Sequence, residues 1–213
     1  MKRRIPHLAL TALLALGMMP MAGLRAADSA ERATAAKEKI EALRVESSKV
    51  RNQILITMES LKRMNVKGVD LRPQFENFKD ELVNMEAQAK VTRDRADSMK
   101  EKGQAAFAAW EKEVQSINND DIRKEAEKRF EKRKKSYGKI LKAMVEARDE
   151  LVPFLSDLND IRKLLESELT EKTVASTKST IRSADWHGED VRDSLSDVEK
   201  ELDRVAAEFA KYK

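Results

Sequence analysis

The chain has 213 residues, 38% of them charged and 5% aromatic, with six Gly, four Pro and no Cys. This length suits one domain or two small ones, and the mix favours long solvated helices over sheets; the lack of Cys excludes disulfides, thiolate metal sites, thiol catalysis and a lipid-modified N-terminal Cys. The formal charge of +4 arises from Lys2, Arg3, Arg4 and Arg25, and beyond Ala26 there are 38 basic and 38 acidic residues, so the basic footprint of a nucleic-acid binder is missing.

Residues 1–26 read as a secretory signal peptide. Lys2-Arg3-Arg4 is the charged start, Leu8 to Met19 the apolar middle, and Leu24-Arg25-Ala26 the cleavage end. The competing reading is an uncleaved membrane anchor, but the apolar stretch holds 12 residues before Pro20, short of the ~20 that span a bilayer. We therefore expect cleavage after Ala26, a periplasmic or secreted mature chain, and no integral membrane span after cleavage.

The first mature helix is predicted at about 29–64. Ile40, Leu43, Ser47, Val50, Ile54, Thr57, Leu61 and Met64 recur in alternating steps of three and four residues, the mark of one seam that partner helices bury. Ile54-Leu55-Ile56 widens the apolar face. Asn65 to Gly68 closes the helix, because Asn and Gly accept the left-handed turn that ends one.

The second helix, about 71–116, opens with Asp70 as cap and Pro73 in the first turn. Its seam runs Phe75, Phe78, Leu82, Met85, Ala89, Thr92, Ala96, Met99, Gly103, Ala106 and Trp110. The seam is large at its ends and small in the middle, which predicts close helix approach there or, as the competing reading, loose packing. Trp110 is expected in the core.

The third helix, about 121–169, follows a turn and cap at Asp120-Asp121. Phe130, Arg133, Tyr137, Ile140, Met144, Ala147, Leu151, Phe154, Leu158, Ile161 and Leu165 form an unbroken seam in which nearly all side chains are apolar or aromatic. Arg133 and Tyr137 carry polar groups to its edge. Pro153 removes a backbone bond, yet the seam stays in phase across it, so a kink rather than a break is expected.

The fourth helix is predicted at about 171–212, capped by Thr170. Its seam is Val174, Thr177, Ile181, Ala184, Gly188, Val191, Leu195, Val198, Leu202, Val205, Phe209 and Tyr212. Four segments with one periodicity and short polar links predict an all-α fold, an elongated antiparallel four-helix coiled-coil bundle roughly 55 to 70 Å long. The repeat of 3.5 residues implies a left-handed supercoil.

Candidate chemistry is sparse. A di-iron bundle needs two Glu-x-x-His pairs, but the two His are His7, in the leader, and His187, with Ala184 three residues before it. Haem lacks paired His and attachment Cys. No Gly-rich phosphate loop or nucleophile elbow is present. No cofactor, metal or catalytic residue is predicted, and the chain reads as a non-enzyme.

Two places stand out. Arg123 to Lys142 holds ten basic residues against three acids, with Lys128, Arg129, Lys132, Arg133, Lys134, Lys135 and Lys139 as a candidate patch for anionic lipid, glycan or acidic clients. The competing reading is charge matching with the acidic stretch of the fourth helix, Glu189 to Asp203, across an antiparallel hairpin. Trp186-His187-Gly188 is the other place. Gly at a seam position costs about 1 kcal/mol against Ala in helix propensity, so it admits a bulky neighbour, such as a Trp of another helix, or marks a minor site at Trp186 and His187.

Three pieces of sequence carry a resemblance. They are Phe107-Ala108-Ala109-Trp110-Glu111-Lys112-Glu113, then Tyr137-Gly138-Lys139-Ile140-Leu141-Lys142-Ala143-Met144, then Val152-Pro153-Phe154-Leu155 with Leu158, continuing to Thr173-Val174-Ala175-Ser176. From about Phe75 to Tyr212 the chain resembles the bacterial family called domain of unknown function 2959. The resemblance implies an exported helical protein of the cell envelope. Many members look like lipoproteins, and this chain departs from them in having no Cys to lipidate. The family supplies no catalytic residues.

The expected function is a structural or protein-interaction module of the envelope, with protein partners and a possible homo-oligomer. The alternative is a periplasmic holdase-type chaperone using an exposed apolar stripe, for which Ile54, Leu55, Ile56 and Met58 are the candidates. Binding of anionic lipid or glycan through the basic segment is third.

Overall fold

The computed structural model describes the backbone of residues 26–210 and the side chains of residues 41–207. The expected signal peptide, apart from Ala26, and Tyr212 lie outside the described residues, as do the side chains of Ile40 and Phe209. Every regular element among the described residues is helical: α1 (Ala26–Arg63), α2 (Leu71–Gln115), α3 (Asp120–Ser167), α4 (Glu171–Ser176) and α5 (Lys178–Ala210). None is long and apolar enough to cross a membrane.

The helix ends follow from local chemistry. Lys62 and Arg63 occupy the last turn of α1, where cations offset the negative end of the helix dipole. Gly68 then takes φ +77°, a left-handed conformation that side chains disfavour. Asp70 caps α2 by accepting from the Arg72 N–H at 3.1 Å. Ahead of α3 the capping residue is Asn119, not the expected Asp120-Asp121. Its Oδ1 accepts from the N–H groups of Asp121 and Ile122, both at 3.1 Å. Asp120 and Asp121 instead fill the first helical turn, where their charge suits the positive end of the dipole. Helix α3 runs unbroken through Pro153.

The predicted fourth helix is two helices. Thr170 caps α4, accepting from the Thr173 N–H at 3.2 Å. After six helical residues Thr177 interrupts the run: its N–H and its Oγ1 both donate to the Val174 carbonyl, at 3.2 and 2.8 Å. A β-branched hydroxyl residue offers the backbone this local alternative. The phase survives, since Val174, Thr177 and Ile181 are all buried.

The chain divides into two compact units, and α1, α2, α3 and α5 contribute to both. One unit comprises residues 47–94 and 143–197. Its core joins Val50, Ile54 and Leu61 of α1, Phe78, Leu82 and Met85 of α2, Leu151, Phe154, Leu158, Ile161 and Leu165 of α3, Val174 of α4, and Val191 and Leu195 of α5. Each large side chain fully removed from water contributes roughly 1.5–3 kcal/mol. Buried hydroxyls are satisfied along their own helices: Thr57 donates to the Gln53 carbonyl at 2.8 Å and Ser60 to the Thr57 carbonyl at 2.7 Å. Gln53 crosses from α1 to α2 and donates to the Glu81 carboxylate at 2.8 Å.

Among the described residues the other unit comprises 26–46, 95–142 and 198–210. At one end Val114, Ala126 and Phe130 are buried beneath Phe107, Trp110 and Ile117. Trp110 is half-buried rather than central, and meets the Phe130 ring edge-on at 5.2 Å. Phe107 lies 6.0 Å from Phe130 and 4.9 Å from Tyr137. Such ring pairs add about 0.5–1.5 kcal/mol beyond their burial. Gly103 of α2 makes room for Tyr137. A Cβ there would sit 1.8 Å from the phenol oxygen, and that hydroxyl donates to the Met99 carbonyl. Burial pushes the Tyr137 phenol up to about 12, since the charged form loses its hydration.

Candidate functional site

The basic segment of α3 belongs to the second of these units. Phe130, Tyr137 and Ile140 face inward, which turns most of the cations outward. Lys128, Arg129, Lys132, Lys134, Lys135 and Lys139 are exposed and Arg133 is half-buried. Several are engaged by acids. Lys128 pairs with Glu125 on its own helix at 3.1 Å, Lys134 with Glu111 of α2 at 3.6 Å, and Lys139 with Glu201 of α5 at 2.9 Å. Lys134 also lies 5.0 Å over the Phe130 ring. Glu201 is buried and takes a second cation, Arg204. Charge matching between helices is therefore realised at Lys134 and at Lys139, the latter with the acidic stretch of α5. The exposed Lys134–Glu111 pair contributes about 0–1 kcal/mol.

Trp186-His187-Gly188 belongs to the other unit, on α5. Gly188 is in the core, but no Trp fills the space beside it. A Cβ at Gly188 would lie 3.0 Å from Ile54 and 3.2 Å from Phe154, so an aliphatic and a phenyl side chain of α1 and α3 occupy the gap. Trp186 points outward and is 65% exposed, since it stands two residues from each of the seam positions Ala184 and Gly188. His187 is half-buried, and its Nδ1 lies 3.0 Å from Oε2 of Glu150 on α3. Asp190 completes a group of three whose donor atoms all lie within 4.8 Å of one another.

Seams filled by Leu, Ile and Met suggest no cavity, yet a surface cleft of about 640 Å³ opens between α1 and α5. Ile54, Leu55, Met58 and Val66 supply its apolar lining, and three bases (Lys62, Arg63, Arg192) with three acids (Glu59, Asp185, Glu189) its charged part. Lys62 holds Asp185 at 2.7 Å. The proposed chaperone stripe is divided here. Ile54 and Met58 are buried, whereas Leu55 and Ile56 are 47% and 46% exposed.

These features define an all-helical protein built on buried heptad seams, with charge at its surface and one mixed imidazole–carboxylate group between α3 and α5. The chain belongs to the family described as protein of unknown function (DUF2959), whose sequence model matches residues 29–211. That match takes in α1 as well as the segment from Phe75 onward that carries the resemblance. No curated protein and no solved structure matches the chain.

Proposed function

We propose that the mature chain is an exported, non-enzymatic coiled-coil protein of the bacterial envelope with a structural or protein-interaction role. The observation that supports this most is the fate of the seams. Within each unit the predicted seam positions turn inward and bury one another, which leaves charged flanks as the surface offered to partners. The links at 64–70, 116–119 and 168–170 are short, which favours an antiparallel four-helix bundle closed within one chain. The charged start and short apolar run of residues 1–26 favour export.

Light scattering coupled to size-exclusion chromatography, with small-angle X-ray scattering, tests the arrangement on residues 27–213. A monomeric rod is expected. A stable dimer or trimer would mean that seams are shared between chains, and would overturn the closed-bundle reading. Mass measurement of the protein recovered from a periplasmic extract tests export, with an N-terminus at Ala27 expected.

The holdase reading is second, favoured by the exposure of Leu55 and Ile56 and by the apolar lining of the cleft beside Leu55. It requires that the chain slow aggregation of an unfolded client and that Leu55→Ser with Ile56→Ser remove the effect. Binding of anionic lipid or glycan through α3 is third, because Lys128, Lys134 and Lys139 already have acidic partners. Co-sedimentation with anionic vesicles that is unchanged on reversing Lys132, Arg133, Lys134 and Lys135 would exclude it.

A further inference from the structure

The group at Glu150, His187 and Asp190 has the make-up of a metal site. His187 and Asp190 are three residues apart on α5, so they lie on one face, one turn from each other. Glu150 approaches from α3, and its carboxylate is already 3.0 Å from the imidazole Nδ1. The backbone that carries these groups is held by the core. Leu151 and Phe154 on α3, and Ala184, Gly188 and Val191 on α5, are all buried, and the missing side chain at Gly188 lets α5 settle against Phe154. Ligands on rigid, closely packed helices are positioned better than ligands on loops.

The chemistry of the donors selects the ion. Two carboxylates and a neutral imidazole balance the charge of a divalent cation. An imidazole nitrogen suits Zn²⁺ and its first-row neighbours, whereas Mg²⁺ and Ca²⁺ prefer all-oxygen sites. Bonds of about 2.0–2.2 Å require the three donors to draw together slightly from their spread of up to 4.8 Å, a motion within reach of side-chain rotation. We propose that Glu150, His187 and Asp190 bind a first-row divalent cation of the Zn²⁺ type, with water completing its coordination, and that the ion ties α3 to α5.

Two features make this directly testable. His187 is the single His beyond the leader, and Trp186 beside it is one of two Trp in the chain. Residues 27–213 carrying Trp110→Phe should show saturable quenching of Trp186 by Ni²⁺. Calorimetry on the unsubstituted mature chain should show one equivalent of Zn²⁺ bound and a rise in melting temperature with excess Zn²⁺. His187→Ala should abolish both responses while leaving the helical circular dichroism unchanged. Glu150→Gln and Asp190→Asn should each weaken Zn²⁺ binding by about tenfold or more, the lower end of what loss of a supporting partner costs at metal sites. Absence of saturable Zn²⁺ binding at millimolar concentration would overturn the proposal. So would parental affinity in His187→Ala, which would assign the binding to scattered surface carboxylates.

Discussion

Replacing Gly103 by Ala perturbs α2 in two opposing ways. In a helix interior the change gains about 1 kcal/mol of propensity. The new methyl, however, would lie 1.8 Å from the Tyr137 phenol oxygen and 2.2 Å from Cζ, so the ring must move. Tyr137 is buried and donates to the Met99 carbonyl. Displacing it forfeits a hydrogen bond of about 0.5–1.5 kcal/mol and adds overpacking of about 1–3 kcal/mol. The net expectation is a loss of about 1–3 kcal/mol, or roughly 2–12 °C in melting temperature for a chain of this size. Guanidinium denaturation in a Trp186→Phe background, followed through Trp110 fluorescence, reads this unit directly. The steric account makes a sharper demand in a Tyr137→Leu background. There the same Gly103→Ala change should be neutral or stabilising, because nothing fills the space the methyl needs. If Gly103→Ala stabilises the parent, or costs the same in both backgrounds, the notch does not hold the phenol and the reasoning fails.

The remaining expectations concern other parts of the fold. Phe154→Ala should cost about 3–5 kcal/mol, read as a denaturation midpoint, because a fully buried phenyl leaves a cavity among tightly packed neighbours. Asn119→Ala should cost about 1 kcal/mol through the lost cap of α3, and Asp120→Ala should cost less; the reverse order would return the cap to Asp120. The Tyr137 phenol ionises near 10 in an unfolded chain and near 12 in the fold. Between those values the unfolded state has already lost its proton while the folded state keeps it, so stability should be flat below pH 10 and fall from pH 10 to 12. Denaturation curves at pH 8, 10 and 11 should show this fall, and Tyr137→Phe should reduce it. Leu55→Ser should shift stability by no more than about 0.5 kcal/mol, since the side chain is nearly half exposed.

The seams were legible because their periodicity reports a physical demand that every turn of the chain repeats. Leu43 to Met64, Phe75 to Met99, Phe130 to Leu165 and Val174 to Val205 are buried almost without exception where the three-four step places them. The same step separates Ile54 from Leu55 and Ile56, since three consecutive residues of a helix cannot all face one side. What periodicity does not carry is local hydrogen bonding. Asn119 and Asp120 are both good caps by composition, and only the backbone path selects Asn119. The interruption at Thr177 keeps the seam in phase and so leaves no trace in the pattern. Long-range placement was equally hidden. Three residues before His187 on its own helix stands Ala184 and three residues after it Asp190, whereas Glu150 reaches it from 37 residues away. Gly188 announced a gap, but a gap does not name its occupant, and Ile54 and Phe154 rather than a Trp took it.

The two buried glycines also bear on how a repetitive sequence avoids misalignment. Heptad seams look alike to one another, and a helix moved along its neighbour by seven residues still sets apolar groups against apolar groups. Tyr137 enters the space at Gly103 and Phe154 the space at Gly188. Seven residues to either side, the same seams present Ala96 or Trp110 in the first case and Ile181 or Leu195 in the second. A slipped pairing would drive an aromatic ring into a methyl, an indole or a branched aliphatic chain. Each unit thus carries its own tooth and notch, and the penalty for slippage falls on the misaligned states.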